Sequence, residues 1–239
     1  GATRLTLSSN NYVWLFDLDN TLHNASAAVF PAISKNMMEF MAQVLGDGVT
    51  PADHATAHAL CIKYLHRYGA TLKGVVNHHG VKQEDFLREA HRFDDLHSLL
   101  LIERGLNNLM QRLPGRKVLF TNAPQCYSEQ VVRKMRLHKH FSEHISIETM
   151  RVHGISQPKP SKAFLLKWLK QQNLSAKNCI LVEDSVSNIR AAQEVGMRTV
   201  FVNGFGPHTK QHKSVSASAD ITVKSVFDLI RRFRQLDRY

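Results

Sequence analysis

The chain has 239 residues, 43% hydrophobic and 21% charged, a balance that supports a large core and excludes disorder, collagen-like repetition and a disulfide scaffold. Lysine and arginine exceed aspartate and glutamate by 31 − 20 = 11, so the surface is basic and suits anionic partners, phosphorylated metabolites and nucleic acids alike. No apolar run reaches the roughly 18 residues of a membrane span, no secretory signal pattern opens the chain, and Cys61, Cys126 and Cys179 have no paired spacing, so a cytoplasmic location with free thiols and no membrane contact is expected.

Val13 to Phe16 is a short apolar run that stops at Asp17-Leu18-Asp19-Asn20, the pattern of a buried strand emptying into a functional loop. From Phe30 to about Leu45, Ile33, Met37, Phe40, Met41 and Val44 recur at helical spacing. A second helix, started by Thr50-Pro51, carries Leu60, Ile62, Tyr64 and Leu65, and two more helical stretches follow. From Lys117 onward the character changes. Strands are predicted at Lys117–Phe120, His144–Ile147, Cys179–Val182 and Thr199–Val202, separated by helices over Gln125–Leu137, Ser161–Gln172 and Asn188–Val195, the last ending at Gly196. Gly204 to Ala219 reads as a long loop. The densest basic run, Arg231-Arg232-Phe233-Arg234, falls on a C-terminal amphipathic helix, where a solvated helix face explains it without nucleic acid.

Alternating strands and helices with near-continuous apolar strands imply an α/β fold, a doubly wound, Rossmann-like parallel sheet covered on both faces. The helical stretch after the first strand is then an inserted small cap domain, with boundaries at 24–97 for the cap and at 1–23 and 98–239 for the core.

Ligands of such sheets bind outside the carboxyl ends of the strands, and four strand ends deliver polar residues there. These are Asp17 and Asp19, then Thr121-Asn122, then Lys159 in the loop Gln157-Pro158-Lys159-Pro160, and finally Glu183-Asp184-Ser185. Several carboxylates on one edge repel each other and take up protons unless a cation neutralises them, and all-oxygen donors suit Mg²⁺. Asp17, Asp184 and the backbone carbonyl of Asp19 are the expected metal ligands. Hydrolysis of a phosphate monoester needs an acceleration of about 10²¹, roughly 28 kcal/mol, which no single residue supplies. Asp17 can take the phosphoryl group as nucleophile, and Asp19 can protonate the leaving oxygen and then activate water. Charge on the transferring group calls for donors opposite the metal, a role open to Thr121, the Asn122 backbone and Lys159, whose loop is stiffened by Pro158 and Pro160.

The segments FDLDNTLH, LFTNA, QPKPS and VEDSVSNIRAAQEVGM, in this order and spacing, resemble the four motifs of the haloacid dehalogenase superfamily. The resemblance spans the whole core, and the helical insertion after the first motif is similar to the family's small cap. It implies an aspartyl-phosphate intermediate and a Mg²⁺ requirement. An acid at Asp19 argues against dehalogenation, because the dehalogenases of the superfamily lack it. Two departures stand out: Glu183-Asp184 replaces the more common Gly-Asp or Asp-Asp, and Asn188 stands where others carry another aspartate. Glu183 is either an outer or water-mediated ligand or a surface acid.

In the cap, the segment from Tyr64 to Gly74 resembles one in the pyrimidine 5′-nucleotidase branch, where tyrosines such as Tyr68 could stack a base. Alternatively, Tyr64 and Tyr68, four apart, pack one helix face. The expected activity is hydrolysis of pyrimidine nucleoside 5′-monophosphates such as UMP and CMP by a monomer or homodimer. The alternatives are a phosphatase for another small phosphometabolite, phosphoglycolate or a sugar phosphate, and, less favoured, a basic nucleic-acid-binding module. Histidine pairs such as His54/His58 and His78-His79 lack the accompanying residues of a zinc site.

Overall fold

A computed structural model describes residues 11–68, 71–206 and 209–238, with the side chains of 62–73 and 238 left undescribed. The chain divides into two compact units, Gly1–Ser26 with Leu100–Tyr239, and Ala27–Leu99.

The larger unit is built on a six-stranded parallel sheet. Its strands are β1 (Val13–Phe16), β2 (Arg116–Phe120), β3 (Glu143–Ile145), β6 (Cys179–Glu183), β7 (Arg198–Val202) and β8 (Ile221–Val223), in the order β3-β2-β1-β6-β7-β8. β1 is central because all four of its residues are apolar and a middle strand is covered on both faces. Val13 and Leu15 join Phe164, Leu165, Trp168, Leu181, Ile189 and Phe201 in one core. Trp14 and Phe16 point the other way, their rings stacked 6.0 Å apart, with Phe141 edge-on to Phe16.

From β1 the chain winds outward in both directions. The helix α7 (Gln125–Lys134) links β2 to β3, whereas α8 (Lys162–Gln171), α9 (Val186–Glu194) and α10 (Lys210–Ser218) serve β6, β7 and β8 on the other side of the switch. Right-handed crossovers therefore place α7 on the face opposite α8, α9 and α10, which is the doubly wound arrangement expected. Before β2, α6 (Leu106–Arg112) leads into Gly115, whose φ of +97° brings a Cβ at that position within 2.4 Å of the Tyr12 carbonyl oxygen. Only glycine fits that turn.

Several elements differ from their sequence expectations. The stretch 204–219 is not one loop: Thr209 caps α10 by accepting a hydrogen bond from the His212 amide, and Val215 is its buried anchor. With one buried apolar residue, that helix has no periodic signal to read. Likewise β8 is three residues long and exists through pairing with β7. β3 ends at Ile145, and a hairpin of β4 (Arg151–Val152) and β5 (Ile155–Ser156) turns through His153 and Gly154, both at positive φ. The C-terminal helix is a four-residue α11 (Leu229–Arg232) continued by a 3₁₀ stretch, Phe233–Arg238. Arg232 donates to the Thr222 carbonyl, so the basic run partly serves to fasten β8.

The smaller unit contains α1 (Val29–Leu45), α2 (His54–Tyr68), α3 (Thr71–His79), α4 (Gln83–Ala90) and α5 (Leu96–Leu99). Met41, Ala42, Ala57, Val75 and Phe86 form its core, with Phe40 edge-on to Phe86 at 5.5 Å. α2 begins later than Thr50-Pro51 because Asp53 accepts from the Thr56 amide at 2.8 Å and so supplies the cap. Asn36 ties α1 to the end of α4 by donating to the Ala90 and Arg92 carbonyls. Among the described residues, no helix is long and apolar enough to cross a membrane.

Candidate active site

The site forms at the carboxyl end of β1, where the winding direction reverses and the flanking loops part. The Asp17 amide donates to the Val182 carbonyl at 3.0 Å, extending the β1–β6 ladder by one residue and holding the aspartate rigidly at the strand tip. The next residues coil at once, since the Thr21 and Leu22 amides both return to the Leu18 carbonyl. Asn20 takes φ of +61°, and its side-chain oxygen accepts from the Ala25 and Ser26 amides. An asparagine tolerates that backbone and closes the loop with its own carbonyl.

This turn aims Thr21 back at Asp17, whose Oδ2 accepts from the threonine hydroxyl at 3.0 Å. Its Oδ1 accepts from Lys159 Nζ at the same distance. The ammonium also donates to Glu183 Oε2 and to the Phe120 carbonyl, both at 2.9 Å, so its three protons have three acceptors. Burial opposes the Lys159 charge, but Asp17 and Glu183 outweigh it and hold the lysine protonated well above its ordinary range. Burial likewise pushes the Asp17 carboxyl up, while Lys159 and hydrogen bonds outweigh it and leave Asp17 below the usual carboxylate range. Asp17 is thus kept as an anion.

Glu183 is 1% exposed, which settles the open alternative: it is not a surface acid. Its Oε1 accepts from the Asp184 and Ser185 amides and shapes the turn into α9, while Oε2 holds Lys159. Burial, then the Asp17 charge, raises the Glu183 carboxyl. Asp184 is raised far more, by burial first and then by the charges of Glu183 and Asp17. Ligand oxygens of Asp17, Glu183 and Asp184 lie within 4.8 Å of one another.

Asn122 does something sequence reasoning did not foresee. Its side chain donates to the Lys159 carbonyl at 3.0 Å and accepts from the Lys159 amide at 2.9 Å, clamping the lysine loop to the end of β2. The side chain is therefore committed to the loop, and a role toward phosphate falls to the Asn122 backbone. Thr121 is 2% exposed, and its hydroxyl accepts from the Ala123 amide, leaving its own proton to donate. Asp19, two residues beyond Asp17, accepts from the Tyr127 phenol at 2.7 Å and lies 2.6 Å from His23 Nε2. The structure thus brings Asp17, Asp19, Thr121, Asn122, Lys159 and Asp184 to one strand edge. The Tyr68 side chain lies outside the described residues.

The sequence profile of the family described as haloacid dehalogenase-like hydrolase matches residues 14–202, which contain every one of these core positions. The chain belongs to this family. Among the relatives, phosphate metabolism protein 8 of Saccharomyces cerevisiae is 26% identical over 204 residues, covering 77% of this chain and 59% of that protein. Phosphoglycolate phosphatase 1 of Pseudomonas aeruginosa is 24% identical over 202 residues, covering 77% of this chain and 66% of its own length. The chain therefore spans somewhat under two-thirds of each. In fold it resembles a haloacid dehalogenase-type phosphatase from Thermococcus onnurineus, with a TM-score of 0.62, 16% identity and coverage of 93% of this chain and 97% of that one.

Thr21, His23 and Tyr127 are the site residues that the reading of strand ends left without a role, and the pairing of Glu183 with Lys159 was not among the alternatives it offered. Thr21 and His23 sit inside the first motif, and their four-residue offsets from Asp17 and Asp19 are the one local signal that a helical turn would bring each pair together. Tyr127 has none, being separated from Asp19 by 108 positions.

Proposed function

We propose that the protein is a Mg²⁺-dependent phosphomonoesterase acting on a small phosphorylated metabolite through a covalent intermediate on Asp17. The observation that carries this is an aspartate anion fixed at a strand tip by Lys159 and Thr21, beside two further acids and two residues from Asp19.

The donor set fits a divalent cation. Three carboxyl groups cluster where one ammonium pairs with only two of them, Asp17 and Glu183, and burial followed by the charges of Glu183 and Asp17 drives Asp184 far above its ordinary range. Oxygen donors alone match the hardness of Mg²⁺. Asp17 and Asp184, with the Asp19 carbonyl, would hold the ion, which when bound neutralises charge on the phosphoryl group and orients it.

The residues of the chain do the rest. A carboxylate oxygen of Asp17 forms a bond to phosphorus as the bond to the ester oxygen breaks, and Asp19 gives that oxygen its proton. Asp19, now a carboxylate, takes a proton from water as the water oxygen attacks the phosphorus. The P–O bond to Asp17 then breaks, releasing phosphate and restoring both aspartates. Lys159 offers positive charge, and the Thr121 hydroxyl and the Asn122 backbone amide offer donors to the equatorial oxygens.

For the substrate, the names of the relatives favour the small-metabolite alternative over UMP or CMP: one that covers 77% of this chain is named a phosphoglycolate phosphatase. The nucleotide reading rests on residues 64–74 of the cap, most of whose side chains are undescribed. The deciding experiment measures phosphate release from phosphoglycolate, sugar phosphates, UMP, CMP and purine nucleotides, with Mg²⁺ or EDTA, beside Asp17→Asn. Mg²⁺-dependent release, greatest for a small phosphorylated acid and abolished in Asp17→Asn, is expected. Preference for UMP and CMP would restore the nucleotidase reading, and release by purified Asp17→Asn would refute the covalent mechanism.

A further inference from the structure

Two buried side chains converge on Asp19 that the mechanism above does not use. Tyr127 is 1% exposed and His23 2%, whereas the Asp19 side chain keeps 14%. The Tyr127 hydroxyl, from α7, donates to Asp19 Oδ1 at 2.7 Å. His23 Nε2 lies 2.6 Å from the same oxygen, and the His23 backbone is held in place by a bridge to Asp19 and by its carbonyl accepting from the Asn20 amide at 2.9 Å. The other ring nitrogen, Nδ1, is buried with no hydrogen-bond partner among the described residues. With no acceptor at Nδ1, the tautomer that carries its proton on Nε2 donates to Asp19 Oδ1.

Both contacts fall on one oxygen. Two donors on Oδ1 stabilise electron density there and disfavour a proton on that atom, so a proton carried by the carboxyl belongs on Oδ2. We propose that Tyr127 and His23 are positioning residues that grip Asp19 by Oδ1 and assign Oδ2 as the atom that delivers and recovers the proton. The proposal rests on the reading of Asp19 as acid and base. Neither side chain touches the reacting atoms. What they supply is a fixed carboxyl plane, so that proton transfer occurs without first reordering Asp19. The grip also joins distant parts of the chain, since Tyr127 on α7 and Asp19 are 108 positions apart, with the whole of the smaller unit, α6 and β2 between them in sequence. A carboxyl free to rotate would present each oxygen in turn and would spend part of its time with the proton away from the ester.

The test is leaving-group selectivity. An alkyl alcohol departs poorly without a proton, whereas 4-nitrophenolate departs without one. The parameter is kcat/KM, which reports only steps up to the first irreversible one, formation of the Asp17 ester, and so isolates the acid role. Tyr127→Phe and His23→Leu should each lower kcat/KM for an alkyl phosphate about tenfold or more, and should lower that for 4-nitrophenyl phosphate by a clearly smaller factor. His23→Gln, whose amide nitrogen stands near the place of Nε2, should recover much of the alkyl activity. Asp19→Asn serves as the reference and should show the same selectivity, larger in size. Equal losses on both esters in Tyr127→Phe, with Asp19→Asn selective, would overturn the proposal and leave the two residues as structural ties. Absence of selectivity in Asp19→Asn itself would instead remove the reading of Asp19 on which it stands. Thermal denaturation of each variant, with circular dichroism of the folded form, separates lost structure from lost orientation.

Discussion

Replacing Lys159 by methionine removes the ammonium between two buried acids while keeping most of the length of the unbranched side chain. Lys159 Nζ lies 3.0 Å from Asp17 and 2.9 Å from Glu183, with only 5% of its side chain exposed. At an effective dielectric of 20 each contact carries a Coulomb attraction of about 5 kcal/mol, most of it cancelled by the desolvation of both partners. What a variant exposes is the uncompensated charge that stays behind. Breaking such a pair costs about 3–5 kcal/mol, and Lys159→Met should lose that much stability at pH 8 in EDTA. The loss should shrink at lower pH. Without the lysine, the attraction that holds Asp17 low and opposes the rise of Glu183 is gone, so the variant should gain more stability than the unmodified protein as pH falls and these carboxylates protonate. In the unmodified protein the difference lies at Asp17, which is held low, stays ionised between pH 8 and 5.5 and loses its contribution only below the ordinary carboxylate range. Glu183, held high, contributes stability that is complete at low pH and fades as pH rises through its folded value. Each unit by which Lys159 had held a carboxyl down returns about 1.4 kcal/mol on protonation. Urea unfolding followed by tryptophan fluorescence suits the purpose, because both tryptophans, Trp14 and Trp168, are buried in the larger unit. A loss below about 1 kcal/mol at pH 8, or one that is the same at pH 5.5, would refute the assignment of Lys159 as counter-ion of this cluster.

Asn122→Ala deletes both hydrogen bonds to the Lys159 backbone and should cost about 2 kcal/mol in urea unfolding. Its kcat should fall about tenfold, as the lysine loop loses its anchor; an unchanged kcat would show that Lys159 holds position without Asn122. Gly115→Ala should lose about 1–3 kcal/mol or more, through a left-handed φ and a Cβ within 2.4 Å of the Tyr12 carbonyl oxygen. Because Gly115 precedes β2, at the end of the sheet away from Asp17, kcat of the folded fraction should not change; wild-type stability would show that the turn yields freely.

Much of the core was legible because its signals are local. A short apolar, β-prone run such as Val13–Phe16 reads as a strand buried on both faces, and an acid immediately after it then stands at the strand tip. Once several such runs alternate with amphipathic helices, the doubly wound sheet and the meeting of Asp17, Thr121, Lys159 and Asp184 at one edge follow from handedness and connection rules. Tertiary structure decided what local pattern does not encode. α10 and β8 form because a neighbour supplies the burial or the ladder that their own residues lack. Asn122 could have faced a ligand, and the side chain turns out to be spent on the Lys159 loop. Glu183 became a buried partner of Lys159, and Tyr127 reached Asp19 from another element, because contacts between residues far apart in the chain depend on packing. By itself the sequence determined which residues reach the edge of the sheet; their hydrogen bonds and protonation depend on burial and on neighbours contributed by distant segments, which exist only once the chain has folded.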